Sequence, residues 1–76
     1  MEFKLDYEGK ILNVKKTTYE TRDITCIDGI VLSFSEEEYK EAKEFAGFNP
    51  KKGSIVRGFR IFCNGIEKSY QIRFVR

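Results

Sequence analysis

Ser54-Ile55-Val56-Arg57-Gly58-Phe59-Arg60-Ile61-Phe62-Cys63, then Asn64-Gly65, then Ile66-Glu67-Lys68-Ser69-Tyr70-Gln71-Ile72-Arg73-Phe74-Val75, reads as two long strands about one tight turn. Asn-Gly between apolar runs favours a type I′ hairpin, which needs positive φ at both central residues. With Cys63 facing Ile66, the register predicts Ile61 opposite Lys68, Phe59 opposite Tyr70, Arg57 opposite Ile72 and Ile55 opposite Phe74. The other face then pairs Phe62 with Glu67, Arg60 with Ser69, Gly58 with Gln71 and Val56 with Arg73. Gly58 beside the intruding Arg57 marks a bulge that swings the arginine outward.

Upstream lies the best-specified element. Ser35 caps a helix and Glu38, three residues on, completes a capping box, with Phe34 and Tyr39 placed as a hydrophobic staple. Glu36, Glu37 and Glu38 sit at the positive end of the helix dipole. Tyr39, Ala42, Phe45 and Ala46 form the expected buried stripe. Gly47 ends the helix in the left-handed conformation, and Asn49-Pro50 prevents its continuation.

Further upstream, Asp28-Gly29 divides Asp23–Ile27 from Ile30–Phe34. The pattern predicts a hairpin, with one long strand bulged at Gly29 as the alternative. Near the N-terminus, Phe3, Leu5 and Tyr7 alternate with polar residues as in a half-buried strand. Glu8-Gly9 reads as a turn into a return strand, Ile11–Val14, pairing Leu5 with Leu12 and Phe3 with Val14. Thr17–Arg22 is a polar loop or the twisted end of that strand. The expected order is β-β-β-β-α-β-β in a single domain, residues 1–76. That is an α+β fold: a small curved antiparallel sheet or open barrel with one helix packed on it.

Seventy-six residues of 8.9 kDa bury only about 60% of the unfolded chain's surface, so stability is expected to be small. There is no histidine, which removes His-based nucleophile systems and the commonest metal ligand. Cys26 and Cys63 stand too far apart for a CxxC motif and read as free, buried thiols. The six glycines are scattered singly, with no phosphate-binding loop. A conventional enzyme is therefore not expected, and no cofactor or metal is called for. No apolar run reaches the length of a membrane span and no signal sequence is apparent, so a cytoplasmic protein without membrane contact is expected.

The net charge of +2 conceals an asymmetry. Residues 1–50 carry seven Lys/Arg against eleven Asp/Glu, whereas residues 51–76 carry seven against Glu67 alone. A dipolar charge distribution steers association with a partner of matching polarity. The expected function is that of a non-catalytic interaction protein, an adaptor or inhibitor of a larger macromolecule such as a nucleic-acid-handling enzyme. Arg57, Arg60, Phe62, Lys68 and Arg73 on the basic hairpin are the expected partner-binding residues, with exposed strand edges as a second route, including to a homodimer. The alternative is direct single-stranded nucleic-acid binding by the same hairpin, arginines on phosphate and Phe62 on a base. Against both stands the plainer reading of a solvated sheet face, with Phe62 under the helix. The histidine-free, Lys-, Ile-, Glu- and Phe-rich composition suits a small accessory protein of a bacterium or phage.

Overall fold

The computed structural model describes residues 1–76 and contains five strands and one helix. They are β1 (Glu2–Lys16), β2 (Thr21–Cys26), β3 (Val31–Ser35), α1 (Glu36–Ala46), β4 (Ile55–Cys63) and β5 (Ile66–Val75). All neighbours in the sheet, ordered β3-β2-β1-β4-β5, are antiparallel. The sheet curls into a half-barrel, and α1 packs against β5, β3 and β2 across its open side. The α+β class is thus as the sequence indicates.

The strand count is not. Glu8-Gly9 does not turn; β1 runs through both residues as one strand of 15. Its first part pairs with β4 from Glu2–Cys63 to Lys10–Ile55, and its second with β2 from Ile11–Cys26 to Lys16–Arg22. Leu5 therefore lies opposite Arg60 and Phe3 opposite Phe62, not against Leu12 and Val14. Gly9 is small for another reason, since a Cβ there would strike the ring and hydroxyl of Tyr7. A bulge at Leu12 reverses the alternation, so Ile11 and Val14 both face inward while Leu12 is exposed. The actual turn is Thr17–Glu20, where Glu20 takes φ 59° and the Thr17 and Thr21 hydroxyls are bonded at 2.7 Å.

The β2–β3 hairpin forms as expected, with Ile24 opposite Leu32. Only Gly29 in its turn has positive φ, so the turn is not type I′. Asp28 is held instead by side-chain bonds, accepting from the Ile30 N–H at 3.0 Å and from the Tyr7 hydroxyl. The helix matches its signals: both halves of the capping box are made, and Gly47 closes it at φ 80°. Arg22 on β2 fastens the first turn, pairing with Glu36 at 2.8 Å and lying 4.9 Å over the Tyr39 ring. Phe45 departs from the expected stripe and is 73% exposed.

The core lies inside the curl, formed by Tyr7, Ile11, Ile24, Cys26, Leu32, Phe34, Tyr39, Val56 and Phe74. Phe34 packs against both Tyr70 and Phe74, each with ring centroids 5.8 Å apart. Those contacts join β3 to β5 through the interior. Cys26 is buried and Cys63 only partly so, and both are free thiols.

Candidate interaction surface

Asn64 and Gly65 both have positive φ, and Cys63 faces Ile66, so the β4–β5 turn is the expected one. Two residues further the register departs from expectation. Phe62 pairs with Glu67 but Ile61 pairs with Ser69, leaving Lys68 in a bulge. Every pair beyond it is shifted by one: Arg60–Tyr70, Phe59–Gln71, Gly58–Ile72, Arg57–Arg73 and Val56–Phe74. The bulge thus sits at Lys68 and not at Gly58. Gly58 is needed because a Cβ there would collide with the Gln71 carbonyl.

The expected register already sets Arg57 and Lys68 on the face opposite Arg60, Phe62 and Arg73, and the shift moves Arg73 across to the face of Arg57. Opposed residues share a face, and Val56 and Phe74 belong to the core, so Arg60, Phe62 and Tyr70 project on the inner side. Arg57, Phe59, Gln71 and Arg73 project outward. Lys68 is exposed at the bulge. Arg60 and Arg73, expected together on one face, are on opposite ones.

On the inner side, Phe3 and Phe62 stack with ring centroids 5.2 Å apart and planes 9° from parallel. The Arg60 guanidinium lies 5.2 Å over the Phe62 ring and 5.9 Å from that of Tyr7, and it is ion-paired with Glu67. Phe3 is 47% exposed and Leu5 49%. Phe62 is therefore half-buried beside Phe3 rather than under the helix. The result is an accessible apolar shelf with a charged pair along one side.

The outer side is a broad shallow depression of about 1020 Å³ lined by Asp6, Glu8, Arg57, Phe59, Gln71 and Arg73 among others. Arg57 pairs with Glu8 at 3.0 Å, and the Lys4 ammonium stands 5.6 Å over the Phe59 ring. The Arg73 guanidinium lies 4.9 Å over Phe45 of the helix. The basic hairpin is thus compensated at two of its arginines by Glu8 and Glu67, one from each half of the chain.

Reasoning from sequence missed Phe3, Leu5 and Glu67 as members of this surface. Strict alternation marked Phe3 and Leu5 as half-buried, but only the pairing of β1 with β4 shows that the neighbouring ground on the β2 side is empty. No helix is long and apolar enough to cross a membrane. Comparison with known protein families, curated proteins and solved structures returns no match.

Proposed function

We propose that this chain is a non-catalytic interaction protein that holds a protein partner on the inner shelf formed by Phe3, Leu5, Phe62 and Arg60. The observation that carries this reading is the stacked, accessible Phe3–Phe62 pair beside an arginine already paired with a carboxylate. Exposed aromatic and arginine side chains supply most of the binding energy at protein interfaces when water is excluded around them. An arginine committed to Glu67 presents a dipolar contact to a polar group on a partner and has less net charge to offer a phosphate.

The second reading is direct binding of single-stranded nucleic acid. Lys51, Lys52, Lys68 and Arg76 form no ion pair, and Arg73 has only the Phe45 ring as a close partner, which supports a residual basic surface.

Cross-linked capture by the wild-type protein and by Phe62→Ser, after nuclease treatment, tests the first reading. One specific protein should be retained by the wild type and lost about tenfold with Phe62→Ser, the weight of a typical interface anchor. Equal retention by both proteins overturns it. Titration of labelled single-stranded and duplex DNA and RNA across a salt series tests the second. Binding that weakens by about 0.7–0.9 log units per log unit of salt for each phosphate, and is lost in the Arg60→Glu, Arg73→Glu double reversal, would put nucleic acid first.

A further inference from the structure

The first half of β1 has a partner on one side only. Met1 and Ile11 make their backbone bonds toward β4, the Met1 carbonyl accepting from Asn64 and the Ile11 N–H donating to Ser54. In an antiparallel ladder successive residues alternate between the two edges, so the odd residues from Phe3 to Gly9 also bond to β4. The N–H and C=O groups of Glu2, Lys4, Asp6 and Glu8 then point the other way, along the β2 side. There β2 pairs only from Ile11 onward, and the last bond is from the Ile27 N–H to the Lys10 carbonyl. From Glu2 to Glu8 the edge carries no partner strand, and α1 packs elsewhere. Beside that edge lie Phe3 and Leu5, half-exposed on the inner face.

We propose that a second copy of this chain occupies this edge, with the two β1 strands pairing antiparallel about a two-fold axis at Leu5. Three observations select the occupant and the register. The open edge runs from residue 2 to residue 8, and Leu5 is its midpoint, so pairing centred there uses the whole edge in both copies. That register sets Lys4 opposite Asp6 of the second copy, twice by symmetry. Neither residue has an ion-pair partner within its own chain. It also sets Glu2 opposite Glu8, a like-charge pair whose cost is offset by Arg57, which the Glu8 carboxylate holds at 3.0 Å. Centring on Lys4 would place Lys4 against Lys4 and Glu2 against Asp6, which are all like charges and unfavourable in direct opposition. Centring on Asp6 would bring Glu2 against Lys10, whose carbonyl Ile27 already occupies.

On the inner face the same register sets Leu5 beside Leu5 and Phe3 beside Tyr7, in lateral cross-strand contact that leaves their outward faces open. The two sheets become one of ten strands, and the two shelves come side by side in one trough. Pairing through an isologous surface is the commonest way in which soluble chains form dimers. The inference rests on the backbone edge and its charges, and it stands whether or not the shelf holds a further protein.

Sedimentation velocity of the full chain over a wide concentration range, at low salt, is the test. The wild type should pass from monomer to dimer. Lys4→Glu alone, and Asp6→Lys alone, should each weaken the dimer by about tenfold, because two attractive cross-strand pairs become repulsive. The double variant Lys4→Glu, Asp6→Lys should restore it. Lys4→Pro, which removes an outward N–H and leaves the β1–β4 ladder intact, should abolish it with an unchanged circular dichroism spectrum. A wild type that stays monomeric throughout overturns the proposal. So does a dimer that Lys4→Glu and Asp6→Lys leave untouched. Either result leaves the shelf reading to the Phe62→Ser capture, whose own failure would not affect the dimer.

Discussion

The hydroxyl of Tyr70 on β5 donates a hydrogen bond to the main-chain carbonyl of Ser33 on β3, tying the two outermost strands of the sheet to each other. A five-stranded sheet ordinarily ends in two unprotected edges. Here neither outermost strand has a further strand beside it, but the Phe34 ring packs against Tyr70 and Phe74 and α1 lies across both strands. A third stretch without a partner strand lies in the middle of the sheet order, where β1 extends beyond β2.

Tyr70→Phe keeps the ring against Phe34 and removes only the bond to Ser33. The expected loss is about 1 kcal/mol, the net worth of one such bond. For a domain of this size that lowers the thermal midpoint by roughly 4–8 °C. Calorimetry or thermal circular dichroism of the two proteins measures it, and an unchanged midpoint would show that the edges are held by packing alone.

Stability should fall in alkali. Burial raises the phenols of Tyr7, Tyr39 and Tyr70 and the thiol of Cys26 above their ordinary values, and for Tyr7 contacts with Cys26 and Asp28 add to the effect. The folded chain keeps these protons while the unfolded chain releases them, so the unfolded state binds fewer protons and gains with pH. The full contribution is present below the unfolded values, about 8.5 for Cys and 10 for Tyr, and declines as pH rises through and beyond them. Urea midpoints measured from neutral pH upward should hold steady and then drop, with a shallower drop in Tyr7→Phe. A midpoint independent of pH in that range would contradict the burial of these groups.

Gly58→Ala should be the costliest of the conservative glycine substitutions in β1 and β4. The new methyl group meets the Gln71 carbonyl, a backbone atom that moves only if β4 and β5 separate. Overpacking of this kind costs about 1–3 kcal/mol. Gly9→Ala meets a side chain, the Tyr7 ring, which has rotational freedom to yield, so its cost should be smaller. Chemical denaturation of both variants gives the order directly.

The hairpin Asn64-Gly65, the helix from Ser35 to Gly47 and the Asp28-Gly29 reversal were legible because each is specified within a few residues. An Asn-Gly pair admits positive φ cheaply, and Ser35 and Glu38 satisfy one another's backbone groups across a single turn. Gly9 misled because a glycine has two uses, to turn the chain or to make room, and here it makes room for Tyr7. Lys68 misled because one bulged residue reverses every side chain beyond it, and β4 carries apolar residues on both of its faces. Of the expected contact residues, Arg60 and Phe62 therefore keep a common face while Arg73 leaves it for the face of Arg57.

By itself, then, the sequence determined the local events: where the helix starts and stops, which turns close, which chemistries lack their side chains and where charge accumulates. These depend on residues within hydrogen-bonding reach along the chain. The tertiary structure alone decided that β1 is one strand shared between two partners, that Glu8 and Glu67 neutralise Arg57 and Arg60, and that Phe3 stacks on Phe62. Those facts depend on strand order and register, which are set by burying one face of the whole sheet at once. A shift of a single residue, invisible in the pattern of any one strand, chooses which side chains share a face.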